Sequence, residues 1–297
     1  MRFLSKFRSF RRREVDPHNV LITGVPRSGT TLVCYLLNLL PDTVALHEPM
    51  SFSGVLRCKT DGAMCDNIDA YFRKTRRMIR SKGVAESKHA GGVVPDNPVE
   101  SQKDSSGNRE LIVAKGKIAI DKAFSKNGML ALKHPAGFSA IVDALVSRFH
   151  TYAIIRNPIT VLGSWNTVPF PHREGHAPTA ELLNATLRDS LARIDDKDDR
   201  QLFLLSWFYR QYHRHVHAEN VIRYEDVIKS RGTALSVITP KAESLDEPLE
   251  NRNKRNVYDY ETMKGIGKKL LDSDGDYWQF YSKANVEKVL GELIGEG

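Results

Sequence analysis

Residues 19–33 carry the spacing of a loop that could bind an anion. Their sequence is NVLITGVPRSGTTLV, in which two apolar runs flank the frame G-x-x-x-x-G-x-T. The pattern predicts a buried strand at 20–22, a glycine loop at 24–31 and a buried helix at 32–40. This succession directs backbone N–H groups and a helix N-terminus at one point. We therefore expect the loop to bind a phosphate group.

The loop lacks the lysine of the common nucleotide-hydrolysing loops. In P-loop ATPases and kinases, Gly-Lys-Ser/Thr places the lysine on the phosphates and the hydroxyl on Mg²⁺. Here Thr30 occupies the lysine position, and the nearest cation is Arg27, inside the loop. The sequence thus favours a phosphate site without ordinary Mg²⁺–ATP chemistry.

Other polar residues follow further predicted strands. The strands at 43–46, 129–132 and 151–155 run into Glu48, Lys133 and Arg156. The remaining predicted elements are strands at 111–114 and 220–223 and helices at 69–80, 138–149, 159–165 and 202–217.

Strands that alternate with helices predict an α/β fold. We expect a three-layer, P-loop NTPase-like fold with a central, mainly parallel sheet flanked by helices. Ligands bind such sheets at the carboxyl ends of the strands. The loop at 24–31, Glu48, Lys133 and Arg156 are therefore expected to share one crevice.

The chain has 297 residues and a formal net charge of +8, which favours an anionic ligand such as a nucleotide, an acidic glycan, nucleic acid or a lipid headgroup. We predict a basic N-terminal segment at 1–18 and a single domain at 19–297. A flexible insertion is expected near 81–110, because residues 81–108 are rich in Gly, Ser, Lys, Pro and Asp.

A cytoplasmic location is expected. The three cysteines form neither a disulfide framework nor a zinc spacing, and no apolar run is long enough to span a bilayer. Residues 1–13 place apolar side chains at helical spacing opposite basic ones. This segment either makes a peripheral membrane contact as an interfacial helix or forms a basic tail or short packed helix.

Two motifs resemble those of the sulfotransferases that use 3′-phosphoadenosine 5′-phosphosulfate (PAPS). Residues 26–31, PRSGTT, resemble the 5′-phosphosulfate loop in its bacterial and tyrosylprotein-sulfotransferase-like form. Residues 154–164, IIRNPITVLGS, are similar to the 3′-phosphate signature, in which Arg156 and Ser164 match the arginine and the serine. Residues 221–227, VIRYEDV, resemble a further family segment, interpreted as structural support.

The resemblance implies two anion sites for one nucleotide. The 5′ end would be held by the loop's amides, hydroxyls and arginine, supplied by Arg27, Ser28, Gly29, Thr30 and Thr31. Arg156 and Ser164 would hold the 3′ phosphate by charge-assisted contacts. The product would be 3′,5′-ADP. No metal is expected, because the sulfuryl group carries one negative charge and is easily displaced.

The resemblance also implies catalytic roles. Glu48 lies 21 positions after Arg27, and an interval of this kind places the catalytic glutamate in tyrosylprotein-type members. The resemblance therefore implies that Glu48 is the general base. His47 is its rival, and the alternative for Glu48 is a helix cap or an arginine partner. Arg27 and Lys133 would stabilise charge in the transition state. The alternative for Lys133 is a surface lysine.

The family pattern is incomplete here. The C-terminal Arg-Lys-Gly-x-x-Gly-Asp-Trp element of cytosolic members is absent. Two segments are candidates to close over the cosubstrate in its place, 264–269 and the basic run 252–255. The alternative is that they form a solvated loop. Leu32 replaces a tryptophan expected beside the adenine. Trp165 and Trp207 either stack on the adenine or belong to the core.

The acceptor is expected to bring a hydroxyl group from a glycan, a lipid, a small molecule or a peptide tyrosine, and nucleic acid is not expected as a partner. His172, Arg173 and His176 either contact this acceptor or lie in an exposed loop. Two other functions stay open, a P-loop nucleotide or sugar kinase and a non-catalytic nucleotide-binding protein. The sequence does not predict the oligomeric state.

Overall fold

A computed structural model describes residues 15–100, 102, 108–251 and 258–295 of the protein. The basic segment at 1–13, with its alternatives of an interfacial helix, a tail or a short packed helix, and the basic run at 252–255 lie outside these residues. Within the described part of the chain, no helix combines the length and the hydropathy needed to cross a membrane.

The central sheet has five strands, and every neighbouring pair is parallel. Its order is β2-β5-β1-β6-β7, which places β1 at the centre. A separate antiparallel pair is formed by β3 and β4. The strands are β1 (Asn19–Gly24), β2 (Thr43–His47), β3 (Val84–His89), β4 (Ala114–Ala119), β5 (Met129–Lys133), β6 (His150–Ile155) and β7 (Val221–Arg223).

Helices pack on both faces of this sheet. Along β6, Tyr152 and Ile154 belong to one hydrophobic cluster, whereas Ala153 and Ile155 belong to another. Successive side chains of a strand point to opposite faces, so the two clusters lie on opposite sides of the sheet. The α/β, three-layer prediction is confirmed.

The helices divide between these two layers. Helices α1 and α2 contribute to the first cluster, and α5, α8, α10 and α11 to the second. The helices are α1 (Thr30–Leu39), α2 (Asp61–Lys82), α3 (Pro135–Ser139), α4 (Val142–Leu145), α5 (Pro158–Trp165), α6 (Pro178–Leu183), α7 (Ala185–Leu191), α8 (Lys197–His215), α9 (Tyr224–Lys229), α10 (Tyr260–Asp272) and α11 (Lys283–Ile294).

The segment predicted as an insertion contains regular structure. Residues 84–89 form β3, which pairs with β4. The strand predicted at 111–114 is displaced along the chain, because β4 begins at Ala114 and ends at Ala119. The buried face of β3 carries only the small side chains of Ala85 and Ser87. Such a face gives a weak apolar alternation, so the strand was not predicted.

Two other predicted elements differ. The helix expected at 138–149 is broken into α3 and α4, because Ile141 has φ −130° and leaves the helical region. Residues 264–269 are not a solvated loop but lie inside α10, and none of them lines the large cavity of the molecule. The absence of a side chain at Gly267 allows α10 to pack closely against α11, because a Cβ there would lie 2.5 Å from the side chain of Leu290.

Candidate active site

A cavity of about 680 Å³ opens at the carboxyl ends of the parallel strands. The register aligns Lys133 with both Ile22 and His47, so the residues after β1, β2 and β5 emerge at one level. The chain runs from β1 to β2 on one side of the sheet, and the later connection from β5 crosses to β6 on the other side. The direction of the connections thus reverses at β1, which is where such folds form a binding crevice. The predicted site residues that line the cavity are Arg27, Gly29, Thr30, Thr31, Glu48, Lys133, Arg156 and Ser164.

The glycine loop is shaped by residues with positive φ. Gly24 has φ 148°, and a Cβ there would lie 2.3 Å from the carbonyl oxygen of Ile154. Gly29 has φ 90°, and its Cβ would lie 2.5 Å from the ring of Tyr224. Side chains are thereby excluded at two points, and α1 begins at Thr30 directly after the loop.

The first turn of α1 forms the candidate site for the 5′ end. The amides at the start of a helix have no intrahelical acceptor, and they carry the positive end of the helix dipole. Thr30 and Thr31 occupy this turn and line the cavity. An anion at this position would be bound by the backbone, without the lysine that the loop lacks.

The structure corrects the role predicted for Ser28. Its amide donates to the carbonyl of Val25 at 3.0 Å, and its hydroxyl donates to the carbonyl of Ile154 at 2.7 Å. The residue is fully buried. Both donors are used inside the protein, so Ser28 fastens the loop to β6 and does not present its hydroxyl to a ligand.

The second candidate anion site lies beside the loop. Arg156 follows β6, and its guanidinium lies 4.4 Å from the ring centroid of Tyr224 and donates to the carbonyl of Arg27 at 3.2 Å. Ser164 lies on α5, and its hydroxyl oxygen accepts from Nε of Arg27 at 3.1 Å. The two predicted anion sites therefore adjoin each other through Arg27.

The segment at 221–227 supports this second site. Glu225 accepts a hydrogen bond from the amide of Asn157 at 2.9 Å and another from the hydroxyl of Tyr281 at 2.8 Å. The side chain of Asn157 in turn accepts from the amide of Ile159 and caps α5. These contacts hold the turn that carries Arg156.

Arg109 is a cavity residue that the sequence did not single out. It is 4% exposed, and its guanidinium donates to Ser164 Oγ at 3.3 Å and to Thr167 Oγ1 at 2.9 Å. A second arginine thus reaches the serine of the predicted 3′-phosphate site. The sequence at 100–110 is mostly polar and has no apolar periodicity, so it contains no signal that distinguishes this arginine from one on the surface.

Glu48 lies at the centre of a cluster of cations. It follows β2 with φ 47°, a conformation that non-glycine residues rarely adopt, and its amide donates to the carbonyl of Lys133 at 2.8 Å. Oε1 lies 3.2 Å from Nζ of Lys133, and Oε2 pairs with Nζ of Lys88. The partners are lysines, so the predicted alternative of an arginine pair is wrong.

The charges around Glu48 keep it ionised. Burial alone would raise its pKa. The positive charge of Lys133, with smaller effects from His47 and Lys88, instead holds the pKa of Glu48 well below its ordinary value. The carboxylate therefore carries its negative charge at neutral pH and is in the form that a general base requires.

Lys133 connects Glu48 to the glycine loop. Its side chain is 3% exposed, and Nζ lies 3.4 Å from Oγ1 of Thr31 as well as 3.2 Å from Glu48. Burial lowers the pKa of Lys133, and the charge of Glu48 opposes that change. The alternative of a surface lysine is wrong.

His47 is less suited than Glu48 to act as the base. Its side chain is 3% exposed against 28% for that of Glu48, and its Nε2 lies 3.5 Å from Oε1 of Glu48. Burial, assisted by the charge of Lys133, lowers the pKa of His47 to about 4. It is a neutral neighbour of the carboxylate and is more buried than it is.

Of the three residues predicted to contact the acceptor, only His172 lines the cavity. Arg173 donates to Asn108, and His176 lies 3.2 Å from Glu181. The pKa of His172 is lowered to about 4 by burial, so the ring is neutral.

The tryptophans belong to the core. Trp165 is fully buried and donates from Nε1 to the carbonyl of Pro26 at 2.9 Å, which supports the loop from behind. Trp207 is 6% exposed in the same cluster. The aromatic residues that line the cavity are Phe170, His172, Tyr224 and Tyr258, together with His47 and His134.

Within the described ranges, no three His, Cys, Asp or Glu side chains come together in an arrangement that could hold a metal ion.

The solved structures that are similar to this chain include two mycobacterial sulfotransferases. The crystal structure of sulfotransferase STF9 from Mycobacterium avium is 17% identical with a TM-score of 0.31, over 94% of this chain and 76% of that one. Sulfotransferase STF1 from Mycobacterium tuberculosis H37Rv is 13% identical with a TM-score of 0.32, over the same shares. Likenesses this distant carry no argument about activity. No family model and no curated protein matches the chain.

Proposed function

We propose that the chain is a sulfotransferase that moves a sulfuryl group from PAPS to an acceptor hydroxyl and releases 3′,5′-ADP. The observation that carries the proposal is that two anion-binding motifs and an ion-paired glutamate border one cavity. The loop ending in α1, the pair Arg156–Ser164 and the pair Glu48–Lys133 all line it.

The two anion sites suit a nucleotide with phosphates at both ends of its ribose. The first turn of α1 and Arg27 bind the 5′ end. Arg156 and Ser164 bind the 3′ phosphate, since a buried guanidinium and a hydroxyl form charge-assisted hydrogen bonds to phosphate oxygens. Arg109, 3.3 Å from the same hydroxyl, adds a second cation to that end.

The reaction requires a base and a cation at the junction of the two substrates. The acceptor oxygen attacks sulfur, the bond from sulfur to the 5′-phosphate oxygen breaks, and Glu48 accepts the acceptor's proton. Negative charge builds on the departing oxygen. Lys133, which lies between Glu48 and Thr31 of the loop, is placed to stabilise that charge.

A P-loop kinase fits these residues less well. Such an enzyme needs a lysine in the loop and a carboxylate for Mg²⁺ after a neighbouring strand. The loop has Thr30 at the lysine position, and the strands on either side of β1 lead into Lys133 and Arg156, both cations.

The acceptor would contact the apolar part of the cavity lining. The apolar side chains in that lining include those of Leu111, Val113, Phe170, Pro171 and Pro178. The proposal covers a hydroxyl of a glycan, a lipid, a small molecule or a peptide tyrosine, and it requires no metal ion.

Calorimetric titration of the protein with 3′,5′-ADP, 5′-AMP and Mg²⁺–ATP tests the proposal. We expect 3′,5′-ADP to bind with micromolar affinity in buffer containing EDTA, and 5′-AMP to bind about 10- to 100-fold more weakly, because it lacks one charged group of the pair. A preference for Mg²⁺–ATP, abolished by EDTA, would reject the sulfotransferase and favour the kinase.

A further inference from the structure

Glu48 has a second lysine partner that no motif accounts for. Nζ of Lys88 pairs with Oε2, the oxygen on the opposite side of the carboxylate from Lys133. The two lysines differ in their surroundings: the side chain of Lys88 is 36% exposed, and that of Lys133 is 3% exposed. One partner is fixed in the wall, and the other reaches in from the solvent side.

The hairpin of β3 and β4 brings Lys88 to this position. Ser87 accepts a hydrogen bond from the amide of His47 at 3.0 Å, which ties β3 to the end of β2. Lys88 is the next residue on β3 and lines the cavity. Its backbone is thus held beside Glu48, while its long side chain has a path to solvent.

The pair with Lys88 affects the basicity of the carboxylate. An opposite charge within hydrogen-bond distance stabilises the ionised form and makes it a weaker base. A donor on Oε2 also occupies the oxygen whose partner is the more exposed lysine, and an acceptor hydroxyl or a water molecule would have to replace that donor to give its proton to Oε2.

We propose, on the basis of the sulfotransferase function above, that Lys88 is a positioning residue. Its ammonium group keeps Glu48 from activating water until an acceptor hydroxyl displaces that ammonium group from Oε2. When the acceptor enters, Nζ of Lys88 moves toward solvent and the hydroxyl takes its place on Oε2. Lys133 stays on Oε1 throughout.

The side reaction that this contact suppresses is hydrolysis of PAPS. Water oxygen bonds to sulfur, the bond from sulfur to the 5′-phosphate oxygen breaks, and Glu48 accepts a proton from the water. The products are 3′,5′-ADP and hydrogensulfate, which loses the second proton of the water to solvent and becomes sulfate, and Glu48 then releases the first proton; no oxidant or reductant is required. An enzyme that holds PAPS before its acceptor arrives benefits from slow hydrolysis.

The test measures release of 3′,5′-ADP from PAPS alone, with no acceptor, by the full-length protein and its Lys88→Met variant. Methionine keeps an unbranched side chain and removes the charge. We expect hydrolysis to rise about 3- to 30-fold, because losing one nearby cation raises the basicity of the carboxylate. The acid limb of the pH–rate profile should move up by about one pH unit.

Three controls separate this role from others. Lys88→Arg keeps a cation and should stay slow, and Lys117→Met removes an exposed charge from β4 of the same hairpin and should behave as wild type. Adding Glu48→Gln to Lys88→Met should abolish the gain. Binding of 3′,5′-ADP, measured on every variant, should change less than about twofold, since the contact lies on the acceptor side.

Each outcome decides the matter. If Lys88→Met binds 3′,5′-ADP normally but hydrolysis is unchanged or slower, the inference is wrong, and a slower rate assigns Lys88 to charge stabilisation. If wild type fails to bind 3′,5′-ADP, the sulfotransferase function fails and the inference with it. Faster hydrolysis with an unmoved acid limb also contradicts the proposed effect on Glu48.

Discussion

The two sides of Glu48 are built differently. On the sheet side, Lys133 is the last residue of β5 and Arg156 follows β6, and they are 3% and 6% exposed. On the hairpin side, Lys88 is 36% exposed and lies on a two-stranded sheet outside the central one. The sheet side is prearranged for a ligand of fixed shape, whereas the hairpin side can change when a second substrate enters.

This contrast assigns separate tasks to the two sides. Buried cations fixed by strand ends suit the cosubstrate, whose phosphates keep one spacing. A half-exposed lysine on a hairpin suits a step that depends on arrival of the acceptor. Substitutions on the sheet side should therefore abolish binding or transfer, and those on the hairpin side should change the control of the base.

The largest effect is expected from Glu48→Gln, which removes the proposed base that both lysines contact. We expect formation of 3′,5′-ADP from PAPS to fall by about 10²- to 10⁴-fold, the usual contribution of a general base. Binding of 3′,5′-ADP should be retained. Turnover within a fewfold of wild type would favour His47 as the base instead, and His47→Gln would then show the large fall in formation of 3′,5′-ADP.

Lys133→Met should have the next largest effect. Removing a buried donor at the departing oxygen is expected to lower turnover by about 10²- to 10³-fold. This loss contrasts with the faster hydrolysis predicted for Lys88→Met, the same change on the other oxygen of Glu48. If Lys133→Met and Lys88→Met changed the rate of 3′,5′-ADP formation by the same factor and in the same direction, the two sides of Glu48 would not differ in function.

The pH dependence should reflect the cations around Glu48. Because the pKa of Glu48 is held below its ordinary value, the carboxylate stays ionised as the pH falls through the usual glutamate range. Turnover of labelled PAPS should then stay level from about pH 8 to pH 5 and decline only at lower pH. An acid limb between pH 6 and 7 would show that another group is the base.

The smallest effect on binding is expected from Ser28→Ala. The substitution removes the 2.7 Å hydroxyl partner of the carbonyl of Ile154, which keeps the amide of Val25 at 3.1 Å, so the free energy of unfolding should fall by about 0.5–1.5 kcal/mol. Affinity for 3′,5′-ADP should change by less than about twofold. A tenfold loss of affinity at unchanged stability, measured by urea denaturation, would return Ser28 to the ligand site.

The sheet side could be predicted from the sequence because of how parallel sheets are built. Their strands are buried on both faces and appear as apolar runs, and the residues after those runs meet at one edge. Glu48, Lys133 and Arg156 were found in this way, and the structure places all three on the cavity.

The hairpin side could not be predicted by the same reasoning. Lys88 belongs to a strand whose buried residues are small, and Arg109 lies in an irregular segment, so neither follows an apolar run. The role of an individual side chain within a motif also could not be predicted from the sequence. The hydroxyl of Ser28 satisfies a main-chain carbonyl, which depends on the approach of β6 to the loop.

The most direct test of the two-site account is a cycle of binding measurements with and without the 3′ phosphate, on wild type and on Arg156→Ala. The account predicts that wild type prefers 3′,5′-ADP over 5′-AMP by about 10- to 100-fold. Arg156→Ala should lose most of that preference, while its affinity for 5′-AMP stays within about threefold of wild type. An equal preference in both proteins would contradict the account, because Arg156 would then make no contact with the 3′ phosphate.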